Sequence, residues 1–451
     1  MKKIIYGVLP AMLTAMVTGC SSDTVSELMP ENPETPVQES NEVKAPLKLD
    51  NDMIALIDTH RANAVDLIRT VIGSAGKTEN VVFSPFSIYT SVSMLANATD
   101  GENLEEILAF LHITDQGKEI QERDDLFPLF PPSGQEDKAL EFLNRNNARL
   151  IDNIPYLDSG VTLKMANSVW TDNGFDIRPQ FSDIMTTTYS APTFTHDFST
   201  ENVADLINSW VSEKTDNLIP RLMTAPLDGP VALATAMYFK GGWNQPFDPA
   251  NTSRQNFTCG DGTEVEVDMM HHSNVMAYMG EAYGGYTLTL TFGNSLYYMS
   301  FFLPVDEVNL TEVAESLSLG RFQYWHLATG RYGETEVDIP KFSVQADYDL
   351  RNILQTLGVN GIFSPSRWNG LTDSSEYLWV QQAVHSTAFS IDETGSEAAS
   401  AGGLTLGAGH PVHTIPDPIP ERIFRVDRPF IFTVMEHHCS IPLLVGCINK
   451  L

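Results

Sequence analysis

The sequence predicts an α+β fold in one large domain. Stretches with apolar residues at helical spacing interleave with short β-rich runs bounded by turn residues, and there is neither a regular βαβ beat nor a repeat period. No composition shift or linker divides residues 51 to 451. A chain of 451 residues, 42% of them hydrophobic, can bury a core of that size.

Taken in chain order, the first segment is a leader. "MKK", an apolar run from Ile4 to Met16 and the small residues of "VTGC" have the pattern of a secretory signal too short to span a membrane. Its end resembles a bacterial lipobox, so residues 1–19 are expected to be removed and Cys20 to carry lipid. The plainer alternative is an ordinary signal peptide with an incidental cysteine. Residues 20–50 hold four prolines and seven acids against two lysines, and are expected to be a disordered tether. From residue 51, "MIALIDTHRANAVDLIRTVI" and "ENLEEILAFL" have helical spacing. "DDLFPLFPPSGQED" reads as a surface loop. "SLYYMSFFLP", "TEVDIPKF" and "RPFIFTVME" read as strands, and "DYDLRNILQTLG" as a short helix ended by glycine.

A net charge of −31 argues against nucleic acid or a polybasic membrane contact. Four cysteines do not make a disulfide framework; Cys439 and Cys447 could pair, but buried thiols are expected for them and for Cys259. "GSAGKT" lacks the first glycine of a phosphate-binding loop, where Val71 stands, and reads as a helix-ending turn. No G-x-S-x-G or H-E-x-x-H occurs. The adjacent pairs His271–His272 and His437–His438 would point apart on a strand, and His410 and His413 lack cysteine or carboxylate company. No catalytic constellation, metal site or cofactor is implied.

One stretch remains unexplained: "DETGSEAASAGGLTLGAG", residues 392 to 409, made of small side chains without lysine, arginine or proline. As a strand it would place Ser396, Ala398, Ser400, Gly402, Leu404 and Leu406 on one face. Its glycines make it a poor strand alone, so it would need a receiving sheet. Strand-like apolar runs flank it, and a long loop tied at both ends to one core is usually functional.

Seven segments together resemble the serpins: "NVVFSPFSIYTSVSMLANATDGENLEEIL", "ANSVWTD", "INSWVSEKT", "AMYFKGGWNQPFD", "VDIPKFSV", "AVHSTAFSIDETGSEAASA" and "DRPFIFTVMEHHCSIPLLVGCI", in the family's order across residues 51–451. The resemblance implies three β-sheets, eight or nine helices and an exposed reactive-centre loop. It implies no enzyme but an inhibitor: a target endopeptidase attacks the loop, forms an acyl-enzyme, and is trapped when the cleaved loop inserts into the main sheet. Gly395, Ser396, Glu397, Ala398, Ala399, Ser400 and Ala401 match the hinge of inhibitory members, with Gly402 where threonine is common. Ser84, Ser87 and His385 match the shutter beneath the sheet, with Thr235 where an asparagine is usual. Trp243 matches the breach, where insertion begins.

The family's spacing, counted forward from Gly395, puts the reactive bond at Gly409–His410; counted back from Pro429 it gives Pro418–Ile419. The forward count is preferred because insertion depends on length from the hinge, with Leu406–Gly407 and Ala408–Gly409 as neighbours. No Lys or Arg lies between Gly395 and Glu421, so elastase-like, subtilisin-like or papain-like targets are expected over trypsin-like ones. The expected protein is a monomer, extracytoplasmic and held by lipid on Cys20 to a bacterial envelope membrane. The alternative is a non-inhibitory binding or storage protein whose loop is only cut.

Overall fold

The computed structural model describes residues 43–113, 136–217, 219–223, 227, 230–282, 284–305, 309–326, 331–396 and 422–451. Its first helix, α1 (Asn51–Gly73), starts where the Asp50 carboxylate accepts from the Met53 amide, a side-chain cap of a free helix N-terminus. Strand β1 (Val81–Phe83) leads into α2 (Pro85–Ala96), whose twelve residues are all buried. Such a helix must lie inside the molecule. Next come α3 (Gly101–Phe110), α4 (Glu136–Asn153), β2 (Val161–Asp172), α5 (Pro179–Tyr189), β3 (Thr193–His196), α6 (Val203–Lys214) and β4 (Val231–Gly242). The chain continues through β5 (Ser253–Thr258), β6 (Glu264–Ala282), β7 (Gly285–Phe292), β8 (Tyr297–Pro304), α7 (Leu310–Glu315), α8 (Leu319–His326), β9 (Arg331–Pro340), β10 (Phe342–Asp349) and α9 (Leu350–Thr356). It ends with β11 (Val380–Ile391), β12 (Gly395–Ser396), β13 (Ile423–Arg425), β14 (Phe430–Glu436) and β15 (Ile441–Ile448).

Hydrogen bonding gathers these strands into two sheets. One has the order β10-β11-β4-β2-β3 with β12 added against β4; the other runs β1-β15-β14-β8-β7-β6-β9-β13, with β5 on β6. A third separate sheet was expected. The 19-residue β6 explains the difference: its first part pairs with β5 and β9 and its last part with β7, so one strand carries the ladder from one sheet into the next. The sheets meet through aromatic rings. Phe342 and Phe389 of the first pack on Phe430 and Phe432 of the second, with Phe389 stacked on Phe432 at 5.1 Å.

The tether expectation needs correction at its end. Residues 43–50 lie along the folded domain: Lys44 pairs with Asp152 at 2.7 Å and sits over the Tyr156 ring, Asn153 donates to the Ala45 carbonyl, and Leu47 and Leu49 pack on the core. Two apolar side chains and a cation with both an acid and a ring to meet outweigh the polar composition. Among the described residues no helix is long and apolar enough to cross a membrane, and Cys259, Cys439 and Cys447 are buried free thiols. "GSAGKT" does follow a helix end, with Ser74 as C-cap.

Candidate functional site

The strands at the centre of the first sheet, β4 and β11, define the site. They are parallel, and parallel strands covered on both faces are rich in small and branched apolar residues, as "VALATAMYF" is. Their ladder joins Val380–Thr387 to Val231–Met237 and then stops, although β11 runs on to Ile391 and β4 to Gly242. Above that level the strands part. The chain leaving β11 turns at Asp392–Thr394 and returns as β12, antiparallel to β4, with Gly395 opposite Gly242 and Ser396 opposite Gly241. Gly241 pairs with Val161 of β2 on its other side, so β12 occupies the flank of β4 that β11 holds lower down.

Residue chemistry explains why this turn is fixed. The Asp392 carboxylate accepts from the Thr394 and Gly395 amides, and the Trp243 and Phe247 amides donate to the Thr394 and Glu393 carbonyls. Gly395 has φ +142°, and a Cβ there would lie 2.2 Å from the Gly241 carbonyl oxygen. Only glycine fits. Ser396 is 1% exposed, and its hydroxyl donates to the Phe239 carbonyl. Trp243 closes the top: its indole N–H donates to the Asp392 carbonyl at 2.9 Å, and its ring stacks on Phe292 of the second sheet at 4.5 Å.

Glu393, buried beside the turn, accepts from Thr252 at 2.7 Å and pairs with Lys341 at 2.9 Å. Burial pulls its carboxyl up, but the Thr252 hydroxyl and the Lys341 ammonium outweigh that and hold it below the ordinary carboxylate range. Lys341 is raised in turn, chiefly by its hydrogen bond to Glu393.

Lower on the seam, four strands place one residue each in a row: Asn167 of β2, Thr235 of β4, His385 of β11 and Tyr348 of β10 are successive cross-strand partners. His385 is fully buried, and its Nε2 accepts from the Ser84 amide at 2.9 Å and meets the Thr387 hydroxyl at 2.8 Å. The ring proton therefore sits on Nδ1, which has no hydrogen-bond partner. Burial lowers its pKa to about 3. Thr235 donates to Asn167 at 2.8 Å, away from His385. Ser84 bridges the seam, its amide on His385 of β11 and its hydroxyl against Met237 of β4, and it also caps α2 by accepting from Ser87. The Ser87 hydroxyl is buried without a partner.

Sequence reasoning placed Ser84, Ser87, Thr235, His385 and Trp243 in two groups, and the structure brings all five onto this seam or its roof, with Gly395 and Ser396 at its mouth. It missed Asn167, Thr387, Lys341 and Thr252. Asn167 lies within the quoted "ANSVWTD", and an asparagine one strand from Thr235 was the available signal. Glu397, Ala398, Ala399, Ser400, Ala401, Leu406, Gly407, Ala408, Gly409, His410, His413, Pro418 and Cys20 lie outside the described residues. His271, Glu336 and Asp338 bring ligand atoms within 4.8 Å of one another, but Asp338, 1% exposed, already pairs with Arg425 of β13 at 2.8 Å and His271 at 2.9 Å. That cluster clasps the edge strand.

The family model for serpin (serine protease inhibitor) matches residues 59–451. The chain belongs to the serpin family. Human neuroserpin is 29% identical over 387 residues, covering 83% of this serpin and 86% of the relative. Mouse alpha-1-antitrypsin 1-4 is 27% identical over 388 residues, covering 85% and 86%. Among solved structures, the thermophilic serpin tengpin in its native state matches with TM-score 0.75 and 21% identity, covering 93% of this serpin and 99% of that chain. Thyroxine-binding globulin complexed with thyroxine matches at 0.73 and 22%, covering 88% and 99%. The fold is thus the serpin α+β fold, and the family is in general one of protease inhibitors rather than enzymes.

Proposed function

We propose that this serpin is an irreversible suicide-substrate inhibitor of extracellular serine endopeptidases, with papain-like cysteine endopeptidases as further targets. The observation that carries the reading is the split seam. Gly395 and Ser396 sit in the mouth of a gap between β4 and β11, and Glu397 to Ala401 add only small side chains and one acid. After cleavage within 397–421, the freed segment enters as a strand between β4 and β11. Insertion breaks their direct ladder from Met237 and Thr387 downward, and with it the Ser84 bridge. The acyl-enzyme is carried along before water releases it. Absence of Lys and Arg from Gly395 to Glu421 favours elastase-like or subtilisin-like targets. Gly409–His410 is the proposed reactive bond. Cys20, lipid-modified, holds the mature chain to a bacterial envelope membrane on its extracytoplasmic side, where proteases from outside would meet it.

The test is to mix the protein with elastase, subtilisin, papain and trypsin in turn and run denaturing gels, with mass spectrometry of the released peptide. A denaturant-resistant complex with elastase or subtilisin, and a peptide beginning at His410, is the expected result. Cleavage by every enzyme without a complex would favour the second reading, a binding or storage protein. A relative of the same fold, thyroxine-binding globulin, keeps that reading in view. Radiolabelled fatty acid incorporated by the intact chain and lost in Cys20→Ser would support the anchor.

A further inference from the structure

Asp338 of β9 stands in a row across three strands, paired with His271 of β6 on one side and Arg425 of β13 on the other. Direct cross-strand partners share a face of the sheet, and so do residues two apart on one strand, so Glu336 joins the same face. Val337 and Ile339, both fully buried, fill the opposite face and fix the register. A histidine and two carboxylates are thus held together by strand pairing, which places side chains more precisely than a loop does.

Charge is unbalanced at this spot. Asp338, 1% exposed, meets the Arg425 guanidinium through Oδ2 at 2.8 Å and His271 Nδ1 through Oδ1 at 2.9 Å. The Glu336 carboxylate forms no hydrogen bond or ion pair among the described residues. Two carboxylates therefore face one fixed cation, and a buried carboxylate gains from further positive charge beside it. Donor atoms of His271, Glu336 and Asp338 lie within 4.8 Å of one another. Metal–ligand bonds of about 2.0–2.2 Å set neighbouring donors about 3 Å apart, a spacing that His271 and Asp338 already meet. A rotamer change in half-buried Glu336 completes a three-ligand set with water in the fourth place. One imidazole and two carboxylates suit zinc, whereas magnesium and calcium take oxygen donors. The proton on His271 Nδ1 moves to Nε2, which frees the Nδ1 lone pair for the metal.

Arg425 is the competitor for Asp338. Its side chain is half exposed and meets the carboxylate through Nε, so it can swing into water. The bonds that tie β13 to β9 through the main chain, Glu336 N–H to the Arg422 carbonyl and Val426 N–H to the Asp338 carbonyl, do not need that side chain.

We propose that His271, Glu336 and Asp338 bind a zinc ion in competition with Arg425. Zinc then releases the side-chain clasp on β13 and leaves that strand on its backbone ladder. The site is independent of the inhibitor reading.

The experiment titrates zinc chloride into the full, tag-free chain by calorimetry and follows hydrogen exchange of residues 422–426 with and without zinc. The parent is expected to take up one zinc at this site and to exchange faster at 423–425 when it is bound. His271→Ala and Glu336→Gln should each weaken that binding about 10–100-fold. Arg425→Ala should tighten it about five- to tenfold by removing the competing cation. His410→Ala/His413→Ala and His437→Ala should bind as the parent does, which separates this site from the other histidines, and magnesium chloride should not displace the zinc. Zinc should raise the unfolding midpoint of the parent and leave that of Glu336→Gln unmoved at the same concentration. Should His271→Ala fail to fold, Glu336→Gln, at a half-buried side chain, carries the same test. No zinc uptake by the parent, or uptake undiminished in Glu336→Gln and in His271→Ala, would overturn the proposal. Equal affinity in the parent and Arg425→Ala, or exchange at 423–425 that zinc does not change, would overturn the competition and with it the release of β13.

Discussion

Acid should loosen the central seam, and His385 sets how much. Its Nε2 accepts the Ser84 amide proton in a fully buried site, so the folded protein holds it neutral, with a pKa near 3 against an ordinary 6.5. The unfolded chain takes up the proton first. Stability from this lowered pKa is therefore fully present above 6.5 and is lost as pH falls towards 3. Linkage gives a loss of about 2 kcal/mol between pH 7 and pH 5 from this residue, insensitive to the folded value while that stays well below 5. His60, also fully buried and lowered to about 3 by desolvation, adds a similar amount. Glu436 works in the opposite sense, since burial raises its pKa. A variant comparison isolates His385: the first denaturant-unfolding transition of parent and His385→Gln, followed by tryptophan fluorescence at pH 7 and pH 5. Gln is expected to cost stability at pH 7 and to recover about 2 kcal/mol relative to the parent at pH 5. Parallel pH curves would refute the reasoning, because they would mean that His385 is not held neutral by its site.

Three further outcomes follow from the mouth of the seam. Gly395→Ala puts a methyl group 2.2 Å from the Gly241 carbonyl at φ +142°, so it should cost about 1–3 kcal/mol in denaturant melts and displace β12, seen as faster hydrogen exchange at Gly241 and Gly242. Ser396→Arg asks a buried slot to take an unpaired cation; cleavage by elastase should continue while the trapped complex falls to a small fraction on denaturing gels. Glu393→Gln removes the ion pair with Lys341 and weakens the Thr252 bond, for an expected loss of about 1–3 kcal/mol. That loss should be full above pH 4.5 and should shrink below it, as acid protonates the parent carboxylate through its lowered folded pKa.

Much of this architecture was legible because it is local. The 3.6-residue spacing of α1, the largely apolar runs of β8 and β14, the small-residue run entering β12 and the turn after Gly73 are each written within a few neighbouring residues. The α+β class followed from their alternation. What stayed hidden depends on register between distant strands. Asn167 meets Thr235 from 68 positions away, and Lys341, between β9 and β10, meets Glu393 in the turn after β11, and no periodicity announces either. The asparagine found missing at position 235 has a neighbour at Asn167 supplying an amide to that strand, which only the β2–β4 register could show. Composition misled at residues 43–50, where Lys44 and Leu47 are held by Asp152, Tyr156 and the core, all far along the chain.

The central claim is that the segment after β11 becomes a strand between β4 and β11 once cut. Hydrogen exchange of residues 397–409 in the protein cleaved by elastase tests it directly. Protection over hours, beside undiminished protection of β4 and β11, is the predicted result. Exchange of that segment within seconds after cleavage would contradict it and leave the loop a substrate alone.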